Sequence, residues 1–160
     1  MDIVTIRFTT KWPPNLASLA TARLGGSRDF SHSMNIIDGK VFEATMLHGC
    51  RVGIPLEVAM QGVAMYQDMY VPVRDKAAAI AWGLEQYGRP YDFAGALGIP
   101  FLASEDWAND DAWWCSELSF MQVLKGGTAM LDPNVCKRVT PAHLLMCNFA
   151  KSEVVRLRSK

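Results

Sequence analysis

Between Phe30 and Ala44 the chain reads FSHSMNIIDGKVFEA. Phe30, His32, Met34 and Ile36 alternate with Ser31, Ser33 and Asn35, the period of two that marks a half-buried strand. Asp38-Gly39 supplies the two-residue turn best suited to an antiparallel hairpin. With those two as the loop, Ile37 faces Lys40, Ile36 faces Val41, Met34 faces Glu43 and His32 faces Thr45. The expected inward face is then Phe30, His32, Met34 and Ile36: three apolar side chains and one titratable ring. Glu43 points to the same side, one diagonal step from His32 at roughly 7–8 Å between backbones.

The same patterning predicts the remaining elements. Residues 2–9 read as a strand. Pro13-Pro14 and Asn15 open a helix to Leu24, stopped by Gly25-Gly26. GCRVGIPLEVAM reads as a short strand and a turn of helix, and MYQDMYVPV (65–73) as a strand whose Pro72 favours an edge or a strand end. RDKAAAIAWGLEQYG predicts a helix with Ala77, Ile80, Ala81, Leu84 and Tyr87 on one face and Gly88 as its cap. A long irregular stretch, rich in aromatic and Gly residues, follows from Arg89 to Trp114. CSELSFMQVLKGG predicts a helix ended by Gly126-Gly127, Thr140-Pro141 start another, and EVVRLR closes as a strand. Helices mixed with antiparallel strands make the class α+β.

Composition narrows the function classes. The 160 residues suit one domain, 1–160, with a substantial core. Sixteen basic residues balance sixteen acidic ones, so neither a nucleic-acid partner nor an acidic tail is expected. The start, MDIVTIRFTT, has no signal-peptide pattern, and no apolar run approaches the roughly 18 residues of a membrane span. The expectation is a soluble, cytoplasmic protein. Four cysteines (Cys50, Cys115, Cys136, Cys147) are far apart, without a CxxC, and are expected to be reduced.

Cys115 stands at the first turn of the helix 115–125, after Trp113-Trp114. Free N–H groups and the positive dipole end stabilise a thiolate there, and the same N–H groups can hold an oxyanion. Alone, such a cysteine is more often structural, and a buried His satisfied by a Glu is as common as a catalytic one. Together, Cys115, His32 and Glu43 supply a nucleophile, a base and an orienting carboxylate.

These residues also carry a family resemblance. SH on one strand, VFEA on the next, then GRPYDF and WCSEL opening a helix resemble the circularly permuted, YiiX-like branch of the NlpC-type papain-fold cysteine peptidases. The usual NlpC order puts the Cys helix before the His strand; here the His strand comes first. The match runs from about Arg7 to about His143. The resemblance implies a papain-like domain with a small antiparallel sheet packed against helices. It makes Cys115 the nucleophile, His32 the base, Glu43 the third polar residue, and Tyr91 the tyrosine lining the nucleophile pocket. Ser33 stands where relatives tend to carry Val, and the Gly-rich element is FAGALG.

Several alternatives compete. His48, in MLHGC, and His143, in TPAHLL, are the other imidazoles; a helix's first turn disfavours an imidazolium at His143. Zinc ligands would have to come from His48, Cys50, Cys136, His143 and Cys147, without the usual knuckle spacing, and no metal or cofactor is expected. Trp107, Trp113 and Trp114 with Phe101 suit either an apolar substrate groove or core packing; Trp114 and Tyr91 are the candidate substrate contacts. Glu117 and Asp111 are most simply helix-start charges. The expected activity is a cysteine hydrolase, peptidase or amidase, acting on a small peptide or amide such as a peptidoglycan fragment or a lipid amide. A lipid acyltransferase or thioesterase on the same triad, and a catalytically silent binding module, are the alternatives.

Overall fold

The computed structural model describes residues 1–11, 29–93, 111–134, 136 and 138–157. Among these, the long strand β1 (Asp2–Lys11) lies between β2 (His32–Ile37) and β5 (Val63–Val73). The sheet continues outward through β3 (Lys40–Thr45) and β4 (Gly49–Pro55) on one side. On the other, two short strands, β6 (Ala150–Lys151) and β7 (Val155–Arg156), both pair with β5. Every ladder is antiparallel, giving the order β4-β3-β2-β1-β5-β6. The described residues also form four helices: α1 (Leu56–Ala59), α2 (Lys76–Glu85), α3 (Cys115–Lys125) and α4 (Pro141–Met146). The class is α+β, with an antiparallel sheet and few helices.

The Asp38-Gly39 turn forms as its residue types require. Both take left-handed backbone angles, φ 49° and 74°, which a two-residue hairpin of this twist needs. Ile37 pairs with Lys40 and Ile36 with Val41, in the expected register. The ladder then stops at Asn35 and Phe42, so the expected pairs Met34–Glu43 and His32–Thr45 are not part of it.

The faces are corrected more substantially. The polar phase of β2, expected to face outward, is fully buried: Ser33 and Asn35 have no exposure. They look toward α3, where Ser33 Oγ lies 3.2 Å from Ser119 Oγ and Asn35 Nδ2 donates to Gln122 Oε1 at 2.8 Å. Met34, on the opposite face, packs with Val41 and Ala59 under α1. A sheet covered on both sides hides both phases of an alternation, so polarity alone did not say which side faces the helices.

The main core lies between the sheet and α2, α3 and α4. Ile6, Phe8, Met69 and Val71 from the sheet meet Phe120, Val123 and Leu144 from the helices. Each large apolar side chain buried this way contributes about 1.5–3 kcal/mol relative to exposure. Helix α2 docks differently from expectation. Its buried residues are Ala79 and Gly83, whereas Leu84 is 51% and Tyr87 74% exposed. The helix approaches through its smallest residues because Gln122 and Phe42 already occupy the space beside Gly83. Asp75 caps it, accepting from the Ala78 amide at 2.8 Å, and Gln86 rather than Gly88 forms the C-cap.

β5 pairs with β1 along its length and also with β7 at Met65-Tyr66 and with β6 at Met69-Tyr70, so among the described residues its Pro72 end has β1 as its strand partner. The closing strand is reduced to Val155-Arg156. The helix expected over 15–24, Trp107, Phe101 and most of FAGALG lie outside the described residues. No helix among the described residues is long and apolar enough to cross a membrane.

Candidate active site

Cys115 is the first residue of α3, and its N-cap Trp114 is extended at φ −93° and ψ 168°. Helix start and strand start meet here. His32, the first residue of β2, is the side chain that acts most strongly on the Cys115 thiol, by hydrogen bonding and charge, and the Ser33 and Ser116 backbone groups add to it. The other side of the imidazole is occupied: His32 Nε2 lies 2.7 Å from Glu43 Oε2. Nδ1 is therefore the ring nitrogen left for the sulfur. Glu43's second oxygen accepts from Arg51 Nη2. Glu43 is 2% exposed, the His32 side chain 18%, and Cys115 2%.

The electrostatics follow from this chain of contacts. Burial works against the imidazolium of His32, but hydrogen bonds and charge from Cys115 and Glu43 outweigh it and push the ring up to about 10. Burial works against the Cys115 thiolate as well; the His32 hydrogen bond and charge, with the Ser33 and Ser116 amides, bring it below the usual thiol range. Glu43 is held below the usual carboxylate range despite its burial, by His32 and then by Arg51. Tyr91 is shifted the other way, raised by burial and by the charges of Cys115 and Asp92, so its hydroxyl stays protonated. The other three thiols are ordinary or worse nucleophiles: burial pushes Cys50 up to about 11, and Cys136 and Cys147 are also raised.

The rival imidazoles are engaged elsewhere. His143 Nδ1 accepts from the Thr140 amide at 3.3 Å as part of the cap of α4, with Cys136 Sγ 3.9 Å away. His48 is exposed in the turn between β3 and β4, and its amide donates to Thr45 Oγ1. Among the described residues no group of three or more His, Cys, Asp and Glu side chains is placed to hold a metal.

Tyr91 sits near the site through an isolated bridge to Trp113, the Asp92 amide donating to the Trp113 carbonyl at 3.1 Å. Trp114 is corrected. Its ring is 2% exposed and its indole N–H donates to the Val139 carbonyl at 2.7 Å, which makes it a core residue rather than a substrate contact. Trp113 is spent on the body of the protein too, stacking edge-on against Trp82 and donating to Gln86 Oε1. Asp111 pairs with Arg89 at 3.7 Å instead of opening a helix, while Glu117 does lie in the first turn of α3.

Arg51 was missed from the sequence, although a signal existed. Closing the next hairpin at Thr45 and Gly49 sets Glu43 opposite Arg51, the register observed. Also missed was the polar seam below Cys115, where Asn35 Nδ2 donates to the Ser119 carbonyl and to Gln122, and Gln122 Nε2 donates to the Ala79 carbonyl at 3.1 Å.

No family model, curated protein or solved structure matches the chain. The chemistry of the site therefore rests on its own geometry.

Proposed function

We propose that this protein is a cysteine hydrolase that cleaves an amide bond through an acyl-thioester on Cys115, in a papain-like domain of the circularly permuted NlpC type. One observation carries the reading: the continuous chain Glu43–His32–Cys115, with a 2.7 Å carboxylate–imidazole contact and a thiol lowered by the imidazole. A structural His needs no such thiol, and a structural thiol needs no such His.

In this reading the Cys115 thiolate attacks the carbonyl carbon; a C–S bond forms and the carbonyl electron pair moves onto oxygen. The amides at the start of α3 and the protonated Tyr91 hydroxyl are the donors available to that oxygen. When the oxyanion collapses the C–N bond breaks, and the His32 imidazolium gives its proton to the leaving amine. Neutral His32 then takes a proton from water, the hydroxide attacks the thioester, and Cys115 leaves as thiolate. Glu43 holds the ring and stabilises the imidazolium without taking the proton. A peptide amide, such as one in a cell-wall peptide, is the proposed substrate class.

The test is acylation by an activated acetyl ester, followed by mass mapping and then by a panel of peptide amides. The expected result is one acetyl group on Cys115, released by water, and amide cleavage that Cys115→Ala abolishes. Acetylation spread evenly over the four cysteines, or cleavage that survives Cys115→Ala, would overturn the reading.

A further inference from the structure

Two arginines form ion pairs on the sheet face that carries His32 and Glu43, and they do so differently. Arg7 takes both oxygens of Asp68, through Nε and Nη2 at 2.7 Å each, and stacks over Tyr66. That pair is closed. Arg51 takes a single oxygen of Glu43, through Nη2, and leaves the other to His32. Its Nε is buried with no hydrogen-bond partner among the described residues, a cost that an apolar strand residue at this position would not carry. Glu43, at 2% exposure, has exchanged its water for these two donors.

We propose that Arg51 is a positioning residue of the Cys115–His32 site, acting through Glu43: it keeps that carboxylate ionised and turned so that one oxygen always faces the imidazole. The inference rests on the reading of Cys115 and His32 given above.

Among the described residues, the charged groups that act on Glu43 are His32 from β2 and Arg51 from β4. Beyond His32 stands Cys115 from α3, and beyond Cys115 stand Tyr91 and Asp92. Removing the guanidinium leaves Glu43, at 2% exposure, with His32 as its charged partner among the described residues. Burial then favours the neutral acid, and Glu43 takes up a proton at a higher pH than before. A protonated Glu43 no longer balances the imidazolium, so His32 and the thiolate lose support from the acid side. The acid limb of Cys115 reactivity moves upward.

The experiment measures the rate of Cys115 alkylation by iodoacetamide against pH in the wild type and in Arg51→Gln, Arg51→Lys, Glu43→Gln, Glu43→Gln/Arg51→Gln and His32→Ala, with circular dichroism on each. Arg51→Gln is expected to move the acid limb up by about one pH unit, the low end of the shift an opposite charge this close produces in a carboxyl group. Arg51→Lys keeps the charge and is expected to return most of that shift. In the Glu43→Gln background, Arg51→Gln is expected to add nothing, because its route is gone. An acid limb unchanged in folded Arg51→Gln, or a shift that persists undiminished without the Glu43 carboxylate, overturns the proposal. If Arg51→Gln does not fold, the double variant, which leaves no lone buried charge, and Arg51→Lys decide it. His32→Ala separates the two levels. If it alkylates like the wild type, the Cys115–His32 reading itself fails; if it loses reactivity while Arg51→Gln changes nothing, only the role of Arg51 fails.

Discussion

His32 and Glu43 meet at 2.7 Å although the ladder joining their strands has already ended at Asn35 and Phe42. The contact is made by side chains across a place where backbone pairing has stopped. There the first residue of β2 also reaches the first residue of α3. An imidazole on a fully paired stretch of strand would be confined to one sheet face. At the strand's start it can serve a carboxylate with one nitrogen and a thiol with the other.

The first prediction is that the imidazole governs the thiol. His32→Ala removes both the hydrogen bond and the charge that lower Cys115. Its thiol should rise to the ordinary value of about 8.5 or above, since burial remains, and alkylation at pH 6 should fall at least tenfold. Changing His48 or His143 should leave alkylation unchanged. In the wild type at pH 6, peptide mapping should find Cys115 labelled before Cys50, Cys136 and Cys147, all three of which are raised. Loss of reactivity in the His143 variant, with retention in His32→Ala, would move the base from β2 to α4 and overturn the assignment.

The second prediction concerns stability against pH. His32 is raised in the folded state, so its contribution is complete below its unfolded value of about 6.5 and disappears as pH rises through about 10. Cys115 is lowered, so its contribution is complete above its unfolded value of about 8.5 and disappears as pH falls through its folded value. Between roughly 6.5 and 8.5 the two slopes cancel, because the pair moves one proton from sulfur to nitrogen and takes none from solution. Melting temperature should be flat across that window and fall above it. Glu43, also lowered, adds a further loss as pH falls through its folded value, which lies below the usual carboxylate range. In Cys115→Ala the decline should begin already at about pH 6.5, because no thiolate contribution rises to offset the one that His32 loses. Melting curves from pH 4 to 10.5 for both proteins check this, and a slope between 6.5 and 8.5 that Cys115→Ala does not alter would count against the ion pair.

The hairpin and its turn were legible because Asp38-Gly39 accepts few backbones and alternation has one period. The end of α3 was legible for a similar reason: Gly126 marks where it stops, and the apolar phase marks its face. What escaped was side choice. Ser33 and Asn35 look solvent-facing in a single strand, and only the distant Ser119 and Gln122, more than eighty positions away, make them buried partners. The docking face of α2 escaped for the same reason. An apolar stripe through Leu84 and Tyr87 is the obvious face, yet contact depends on the volume of Phe42 and Gln122 across the interface. Trp114 looked like a groove residue because its neighbour is Cys115; nothing local announces the Val139 carbonyl that receives its N–H.

The third prediction tests the polar seam. Asn35→Ala leaves Gln122 Oε1 and the Ser119 carbonyl without their donor in a region of no exposure. The expected loss is about 1–3 kcal/mol, the cost of a buried polar group left unsatisfied. Urea denaturation followed by circular dichroism measures it. A loss under about 0.5 kcal/mol would mean that the seam is replaceable packing.

The last prediction sets helix propensity against packing at Gly83. Alanine is the better helix former by about 0.8–1.0 kcal/mol, and Gly83 lies inside α2 with ordinary helical angles, so propensity alone favours Gly83→Ala. The added methyl, however, would stand 2.3 Å from Gln122 Nε2 and 2.7 Å from Phe42 Cδ1. A lone glutamine tip would swing away at little cost. This one is held, donating to the Ala79 carbonyl and accepting from Asn35, so moving it opens the seam beneath Cys115. Phe42 is 3% exposed and has no free side to retreat to. Overpacking typically costs about 1–3 kcal/mol, and one broken buried hydrogen bond adds about 1–3 more, which together exceed the propensity gain. Gly83→Ala should therefore lower stability by about 1–5 kcal/mol in urea titration. It should also slow Cys115 alkylation, because the seam that aligns α3 with β2 has shifted. Equal or higher stability, with alkylation unchanged, would show that α2 can back away from α3 and that the close approach at Gly83 sets nothing at the site.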